Sequence, residues 1–298
     1  MDAEARAIAL AEENRDRLLC IVGPTASGKT DLAIAVAERI GGEIVSADSV
    51  QVYRFFDIGS GKPTAEEKAR APHHVIDVLD PMELIDAAAY SRLAEDAIAD
   101  IRARGKVPIL CGGTYFWVRA LVLGLVDAPP GDQDIRARHR AFVDEKGRNA
   151  LHDELVRLDP ESAARLHPND VVRVSRALEI FELSGRKMSE WHAEHGFRQR
   201  RLDHVMIAPS TTPEQLTERI GARVDKWLVG GWIEEVESLL ARGYRDARAM
   251  GSVGYAEVRS FLDGTLARDA LRDTIVQSTR IFARRQRTWL KSANVEWL

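Results

Sequence analysis

Gly23, Pro24, Thr25, Ala26, Ser27, Gly28, Lys29 and Thr30 fit the spacing G-x-x-x-x-G-K-[ST]. In that loop successive backbone N–H groups, a lysine and the start of a helix wrap a diphosphate. Residues 18–22 before it form an apolar run of strand length, and residues 31–40 after it have a helical pattern. The strand, loop and helix that the motif requires are therefore all present, and all eight loop residues are assigned to polyphosphate binding. Gly23 and Gly28 permit the tight path around phosphate oxygens, Lys29 supplies a point charge, and Thr30 offers a hydroxyl to Mg²⁺. These parts serve a diphosphate leaving group as well as they serve the end of a triphosphate.

The neighbouring strand ends narrow the chemistry. Residues 43–48 read as a second strand ending in a polar cluster, and in open α/β sheets ligands sit beyond the C-terminal strand ends. Asp48 is thus expected in the same crevice as Lys29. It is either a base that takes a proton from a nucleophilic amine or the N-cap of a helix over 49–53, and one role does not exclude the other. A third strand, 107–111, runs into Gly112, Gly113 and Thr114, where a kinase or hydrolase usually ends in an acidic residue that holds magnesium through water. Its absence favours a diphosphate departing from carbon, whose growing charge the N–H groups, Lys29 and Mg²⁺ would stabilise. Thr114 is an N-cap or a hydroxyl facing the crevice. Arg219 and Arg223 lie four apart and share a helix face, so they either bring charge to the diphosphate or form an ordinary solvated pair. Arg173 and Arg176, three apart, can reach one partner, whereas Arg136 and Arg138, two apart, share no helix face. The adjacent His73 and His74 point differently and imply no metal site.

These side chains need a frame, and the pattern of the chain supplies one. A short helix is expected before Leu18, capping the sheet edge, and a long amphipathic helix from about 87 to 104. From 127 to 199 the pattern is helical throughout, cut by turn signals at Gly147, Asp159-Pro160, 167–170 and Ser184-Gly185 into four or five helices. Alternation returns at 202–208 as a strand; from Pro213 the chain is helical, with a last strand candidate at 294–298. The expected fold is α/β: a P-loop NTPase-like parallel sheet core flanked by helices, formed by 1–126 and 200–298, with an inserted all-helical lobe at 127–199.

Composition sets outer limits. The 298 residues are 45% hydrophobic and 30% charged, which suits a folded domain with an inserted lobe. No apolar run approaches a membrane span, and the N-terminus lacks the order of a signal peptide, so a cytoplasmic protein is expected. Cys20 and Cys111 sit in apolar runs and read as buried small hydrophobes. The net charge of −4 argues against indiscriminate nucleic-acid binding. One local exception is 280–291, with Arg280, Arg284, Arg285, Arg287 and Lys291 and no acidic residue. That run is either a solvated helix face or a phosphate-contacting one.

Taken together, these stretches resemble the tRNA dimethylallyltransferase family, also called tRNA isopentenyltransferase. The resemblance runs from about 18 to 289, through GPTASGKT, SADSVQVY, DIGSGKP, HHVIDV, CGGT, HPNDVVRVSRALEIFELSG, GYAE and TRIFARRQRTWL in that order. It implies transfer of a dimethylallyl group from its diphosphate to N6 of adenosine 37, beside the anticodon, in tRNAs reading codons that begin with U. The target base would be flipped out of the anticodon loop to expose N6. Asp48 matches the family's catalytic base, and Thr114 and Arg223 match positions that handle the substrates and diphosphate. Asp48, Ser49, Val50 and Gln51, then Val172, Arg173, Val174, Ser175 and Arg176, match tRNA-contact stretches; Arg136 matches a further tRNA-facing position. The resemblance thus assigns catalysis to Asp48, Thr30, Lys29 and Arg223, metal binding to Thr30, and tRNA binding to the 127–199 lobe of a monomer. Val172 stands where relatives often carry glutamine, Trp117 replaces a frequent tyrosine, Phe55 a frequent glycine, and Thr212-Pro213 a region that often holds an arginine. Two rivals compete: a small-molecule kinase of the nucleotide or shikimate type, and a non-catalytic RNA-binding protein that uses nucleotide as a switch. The long insert and the CGGT strand end disfavour the first; a crevice-facing Asp48 is superfluous to the second.

Overall fold

The computed structural model describes residues 2–195, 201–291 and 293–298. The expected end of the helical lobe at 196–199 lies outside the described residues. The chain divides into two compact units, Met1–Val122 with Arg201–Leu298, and Leu123–Arg200. The division at 122/123 falls four residues before the expected 126/127.

In the first unit the chain runs α1 (Ala3–Glu13), β1 (Leu18–Val22), α2 (Lys29–Ile40), β2 (Gly42–Ser46), α3 (Ala65–Arg70), β3 (His73–His74), α4 (Ala87–Ala103), β4 (Val107–Gly112) and α5 (Tyr115–Leu123). The sheet order is β3-β2-β4-β1-β5-β6, and every pairing is parallel. Here β5 is His204–Ala208 and β6 is Glu296–Trp297. A parallel sheet must be covered on both faces, which is why β1 and β2 are buried along their whole length. On one face Leu19, Ile21, Ile44, Ile109, Cys111 and Ile207 pack under Leu32, Ala33, Val36 and Ile40 of α2. Alternation sends Cys20, Val45 and Leu110 to the other side, where α4 lies along β2 and β4. Tyr90 of α4 donates its hydroxyl to the Ser46 carbonyl at 3.0 Å, which fixes the C-terminal end of β2.

Two expectations are corrected here. The apolar stripe of α1, Ala7, Leu10 and Ala11, packs on α2 over the sheet face, and the exposed Arg6 pairs with Glu296 of the edge strand at 2.8 Å. No helix follows Asp48, since residues 49–52 form a turn.

After β5 the unit closes with α11 (Pro213–Val229), α12 (Trp232–Ala241), α13 (Tyr255–Leu262) and the long α14 (Arg268–Leu290). Thr212 and Pro213 open α11 with a capping box: the Thr212 hydroxyl accepts from Gln215 N at 3.2 Å, and Gln215 Oε1 accepts from Thr212 N at 2.9 Å.

The second unit holds α6 (Gln133–Lys146), α7 (Arg148–Leu158), α8 (Pro160–Arg165), α9 (Val171–Ser184) and α10 (Met188–His195). They close around Leu151, Leu155, Ala163, Val174, Ala177 and Leu178. Its two polar anchors are buried carboxylates. Asp159 caps α8 through Ser162 N at 3.1 Å and takes Ser189 N at 2.9 Å. Glu179 has no exposed surface and takes the Arg136 and Arg176 guanidiniums at 2.9 and 2.5 Å and Asp132 N at 2.6 Å.

Candidate active site

The loop between β1 and α2 folds as its glycines require. Gly28, at the N-cap of α2, has φ +88°, which only glycine adopts without cost. Gly23 lies so close to the loop that a Cβ there would sit 2.6 Å from Ser27 Oγ. Ala26 holds φ +64°, a costly conformation for a residue with a side chain. Ser27 is 2% exposed and its hydroxyl has no hydrogen-bond partner. Lys29 Nζ donates to the Pro24 carbonyl at 3.3 Å.

Helices far along the chain complete the loop. Arg219 donates to the Ser27 carbonyl at 3.3 Å, and Arg223 to Thr25 Oγ1 at 3.0 Å. The shared face inferred from their spacing is therefore turned onto the phosphate loop. Gln286 of α14 was not singled out by sequence. Its Oε1 accepts from Thr25 N at 2.8 Å and its Nε2 donates to the Gly113 carbonyl at 2.9 Å. This amide ties the phosphate loop to the end of β4, where two glycines are closely approached. A Cβ on Gly113 would lie 2.5 Å from Gln286 Nε2, and one on Gly112 would lie 2.2 Å from the Ala47 carbonyl oxygen.

Beyond the strand ends lies a cavity of about 360 Å³, lined by Thr25, Lys29, Thr30, Asp48, Thr114 and Arg223 among others. Its electrostatics are one-sided. Loss of hydration at the cavity floor pushes the Lys29 ammonium below the ordinary lysine range; Arg223 adds to that, and Cys111 and Asp48 oppose it. Burial likewise lowers Arg223, with Asp31 and Asp48 opposing. Among the described residues neither cation has a carboxylate oxygen within 4.0 Å. Two partly buried cations facing a phosphate loop favour an anionic ligand.

Asp48 stands across this cavity. Its Oδ1 accepts from Val50 N at 2.9 Å and Gln51 N at 3.2 Å, so it caps the turn, while Oδ2 takes no hydrogen bond among the described residues. Thr114 turns away from α5: its Oγ1 accepts from Ser49 N at 3.0 Å, joining the end of β4 to the same turn. Gln51 accepts from Ser46 Oγ at 3.0 Å and donates to the Ser60 and Gly61 carbonyls at 3.2 and 2.9 Å. The 57–63 loop is held in turn by Lys62, 4% exposed, which reaches Asp57 at 2.7 Å and Asp77 at 2.5 Å. Glu235 accepts from Asp57 N and Ile58 N at 3.1 and 2.7 Å and from the Tyr255 hydroxyl at 2.6 Å. His73 also lines the cavity; its Nδ1 bonds the Ala71 carbonyl at 2.7 Å.

The residues assigned to tRNA in the helical unit divide. Val172 is 80% exposed, and Arg173, also exposed, pairs with Asp170 at 2.7 Å. Val174 and Ser175 turn inward, Ser175 Oγ meeting His139 Nδ1 at 2.9 Å. Arg136 and Arg176 are committed to Glu179. Two departures from the family pattern also have structural counterparts. Trp117 stacks on Tyr90 at 4.3 Å. Phe55 carries φ +69°, the conformation that glycine adopts without strain, under the Arg242 guanidinium at 4.7 Å.

The parallel sheet, the cradle formed by residues 23–30 and the cavity beyond the strand ends define an α/β protein of the P-loop type. The family model described as IPP transferase matches residues 51–293. A tRNA dimethylallyltransferase of Sorangium cellulosum is 62% identical over 94% of this chain and 90% of its own length. One of Geobacter sulfurreducens is 44% identical, over 96% and 92%. The crystal structure of the tRNA isopentenylpyrophosphate transferase of Bacillus halodurans superposes with a TM-score of 0.70 at 40% identity, covering 95% of this chain and 89% of that one. A eukaryotic dimethylallyltransferase, described as acting on tRNA, superposes with a TM-score of 0.77 at 27% identity, over 94% and 73%. The chain belongs to the tRNA dimethylallyltransferase family, and it is a prenyltransferase.

Proposed function

We propose that this enzyme transfers a dimethylallyl group from dimethylallyl diphosphate to N6 of adenosine 37 in tRNAs reading codons that begin with U, acting as a cytoplasmic monomer. The observation that carries this reading is the pairing of Lys29 and Arg223, without carboxylate partners, against Asp48 across one cavity. The N–H groups of the loop, Lys29 and Arg223 receive the diphosphate and stabilise its charge as the C1–O bond breaks. The nitrogen N6 attacks C1, the N–C bond forms, and the amine proton passes to Asp48 Oδ2, whose Oδ1 is occupied by the turn.

Mg²⁺ fits the donors present. Thr30 lines the cavity with a hydroxyl, and among the described residues no cluster of three His, Cys, Asp or Glu side chains offers a protein cage. Mg²⁺ typically takes one or two protein oxygens and completes its shell with phosphate and water. When bound, it neutralises part of the diphosphate charge.

Support for a polyanionic substrate comes from α14. Among the described residues Arg280, Arg284, Arg285, Arg287 and Lys291 form no ion pair, whereas Arg272 on the same helix pairs with Asp225 at 2.6 Å and Asp273 at 2.9 Å. Four arginines of α14 and the Lys291 at its C-cap without an ion pair suit phosphate contacts. The same helix carries Gln286 into the cavity, which links the basic run to the site.

Position is tested with unmodified tRNA transcripts that read UNN codons and carry either adenosine or guanosine at position 37. Nuclease digestion and mass spectrometry should find the prenyl group on the adenosine transcripts, at position 37 alone. Equal labelling of the guanosine transcripts, or of another adenosine, would refute the assignment.

A further inference from the structure

The cavity has an apolar wall that the phosphate chemistry does not use. Ile220, Val224 and Trp227 line it from α11, interleaved with Arg223 at helical spacing, so one stripe of the helix carries both the cation and the wall. The Trp227 ring centroid lies 5.1 Å from the Arg223 guanidinium carbon. Behind Trp227 stands Trp232, 1% exposed, edge-on at 5.3 Å and 81°.

Trp232 is locked. A Cβ on Gly59 would fall 2.0 Å from its ring and one on Gly254 would fall 2.1 Å from it, so two glycine backbones grip the indole. Tyr255 meets it edge-on at 5.7 Å. Trp227 in turn lies against Gly61, where a Cβ would be 3.1 Å away and φ is +62°. The 59–61 loop is pinned by Gln51 and Lys62, as described above. The two indoles and the glycine loop therefore make a rigid wall beside Arg223.

From this we infer that Trp227, backed by Trp232, fixes the length of the prenyl chain at five carbons. The inference rests on the reading that the loop and Arg223 hold the donor's diphosphate. With the diphosphate on Arg223, C1 of the donor begins next to the Trp227 ring. A dimethylallyl tail spans about 4 Å from C1 to its methyl carbons, at roughly 1.5 Å per bond, and so covers the ring face. A ten-carbon tail needs about twice that reach, and Trp232 with Gly59 occupies the space beyond. Apolar pockets discriminate a single added methylene by about 10–200-fold, and five additional carbons against a packed wall should exceed that.

The test compares kcat/KM for dimethylallyl and geranyl diphosphate on the same tRNA, using the wild-type enzyme and the Trp227→Ala and Trp227→Leu variants, with products identified by mass. The wild-type enzyme should prefer the five-carbon donor by at least about 100-fold, and both variants should shift that ratio toward geranyl transfer by about tenfold or more. Trp227→Leu keeps an apolar side chain on α11 and carries the test if the alanine variant does not fold. Wild-type transfer of geranyl at comparable efficiency, or a ratio unchanged in the folded variants, overturns the inference and leaves the prenyl-diphosphate reading standing. Absence of any transfer by the wild-type enzyme overturns that reading itself.

Discussion

In Asp48 an observed turn cap and the proposed base fall on a single side chain. Its Oδ1 accepts from two backbone donors, its Oδ2 takes no hydrogen bond among the described residues, and the residue lines the cavity, so the capping and base readings of the sequence can be met by different oxygens of one carboxylate. Replacement by asparagine separates them, since the amide oxygen can still cap the turn but cannot take a proton. Asp48→Asn and Asp48→Ala should each lower kcat by about 10²–10⁴-fold while tRNA affinity, measured by filter binding, stays within about threefold of the wild-type value. An Asp48→Asn enzyme with wild-type turnover would leave the residue a turn cap only. Asp48, Lys29 and Arg223 were legible because each depends on a local pattern: a strand end, a loop motif or a spacing of four. Gln286 was not, because its meaning lies in a hydrogen bond to Thr25 across 261 positions. An amide within a run of arginines carries no local signal of that partnership.

Among the elements, the strands other than the two-residue β3 and most helices followed from apolar pattern and turn residues, including the return strand β5 and the terminal β6. The turn over 49–52 did not: an aspartate after a strand caps a turn as readily as a helix, and here Gln51 is drawn off to the 57–63 loop. Nor was the Glu179 hub visible, since a glutamate within α9 reads as solvated until its burial is known. Removing Glu179 takes the carboxylate from two partly buried guanidiniums, of which Arg176 keeps the Pro129 carbonyl. Glu179→Ala should destabilise the helical unit by about 3–5 kcal/mol, read as a lower urea midpoint of its transition, and a midpoint equal to wild type would deny it that role. Another buried carboxylate, Glu43, gives β2 an acid sensitivity. Arg104 hydrogen bonds lower the Glu43 pKa from 4.5 to about 2, with His74 assisting and burial opposing. A carboxylate with a depressed native pKa contributes its full stability above the unfolded value and loses it as pH falls through the folded one. The contribution, about 2 kcal/mol after allowance for the exposure of Arg104, should be intact above about pH 4.5 and gone near pH 2. The melting temperatures of wild type and Glu43→Gln should therefore differ most at neutral pH and converge across that window; a constant gap would contradict it.

For the whole molecule, the net charge of −4 conceals the basic run at 280–291, and whether it is a phosphate-contacting face or a solvated one is read from the salt dependence of tRNA binding. Arg284→Ala with Arg285→Ala should reduce the slope of log affinity for tRNA against log salt by about 1–2; an unchanged slope would place both side chains in solvent. The α/β core and the helical lobe were readable from the sequence because a P-loop needs its sheet and a long strand-free insert needs its own core. The approach of α14 onto the loop was not, because a glutamine among arginines has no periodicity that names a distant partner. The central claim is that the phosphate loop holds a leaving diphosphate and not a phosphoryl donor. Its most direct test is a time course with purified enzyme, unmodified tRNA, Mg²⁺ and dimethylallyl diphosphate, with ATP absent, following prenylated tRNA by mass together with released diphosphate. The two products should rise together in equal amounts. Failure to form prenylated tRNA, with phosphate passing instead from added ATP to a small acceptor, would contradict the account.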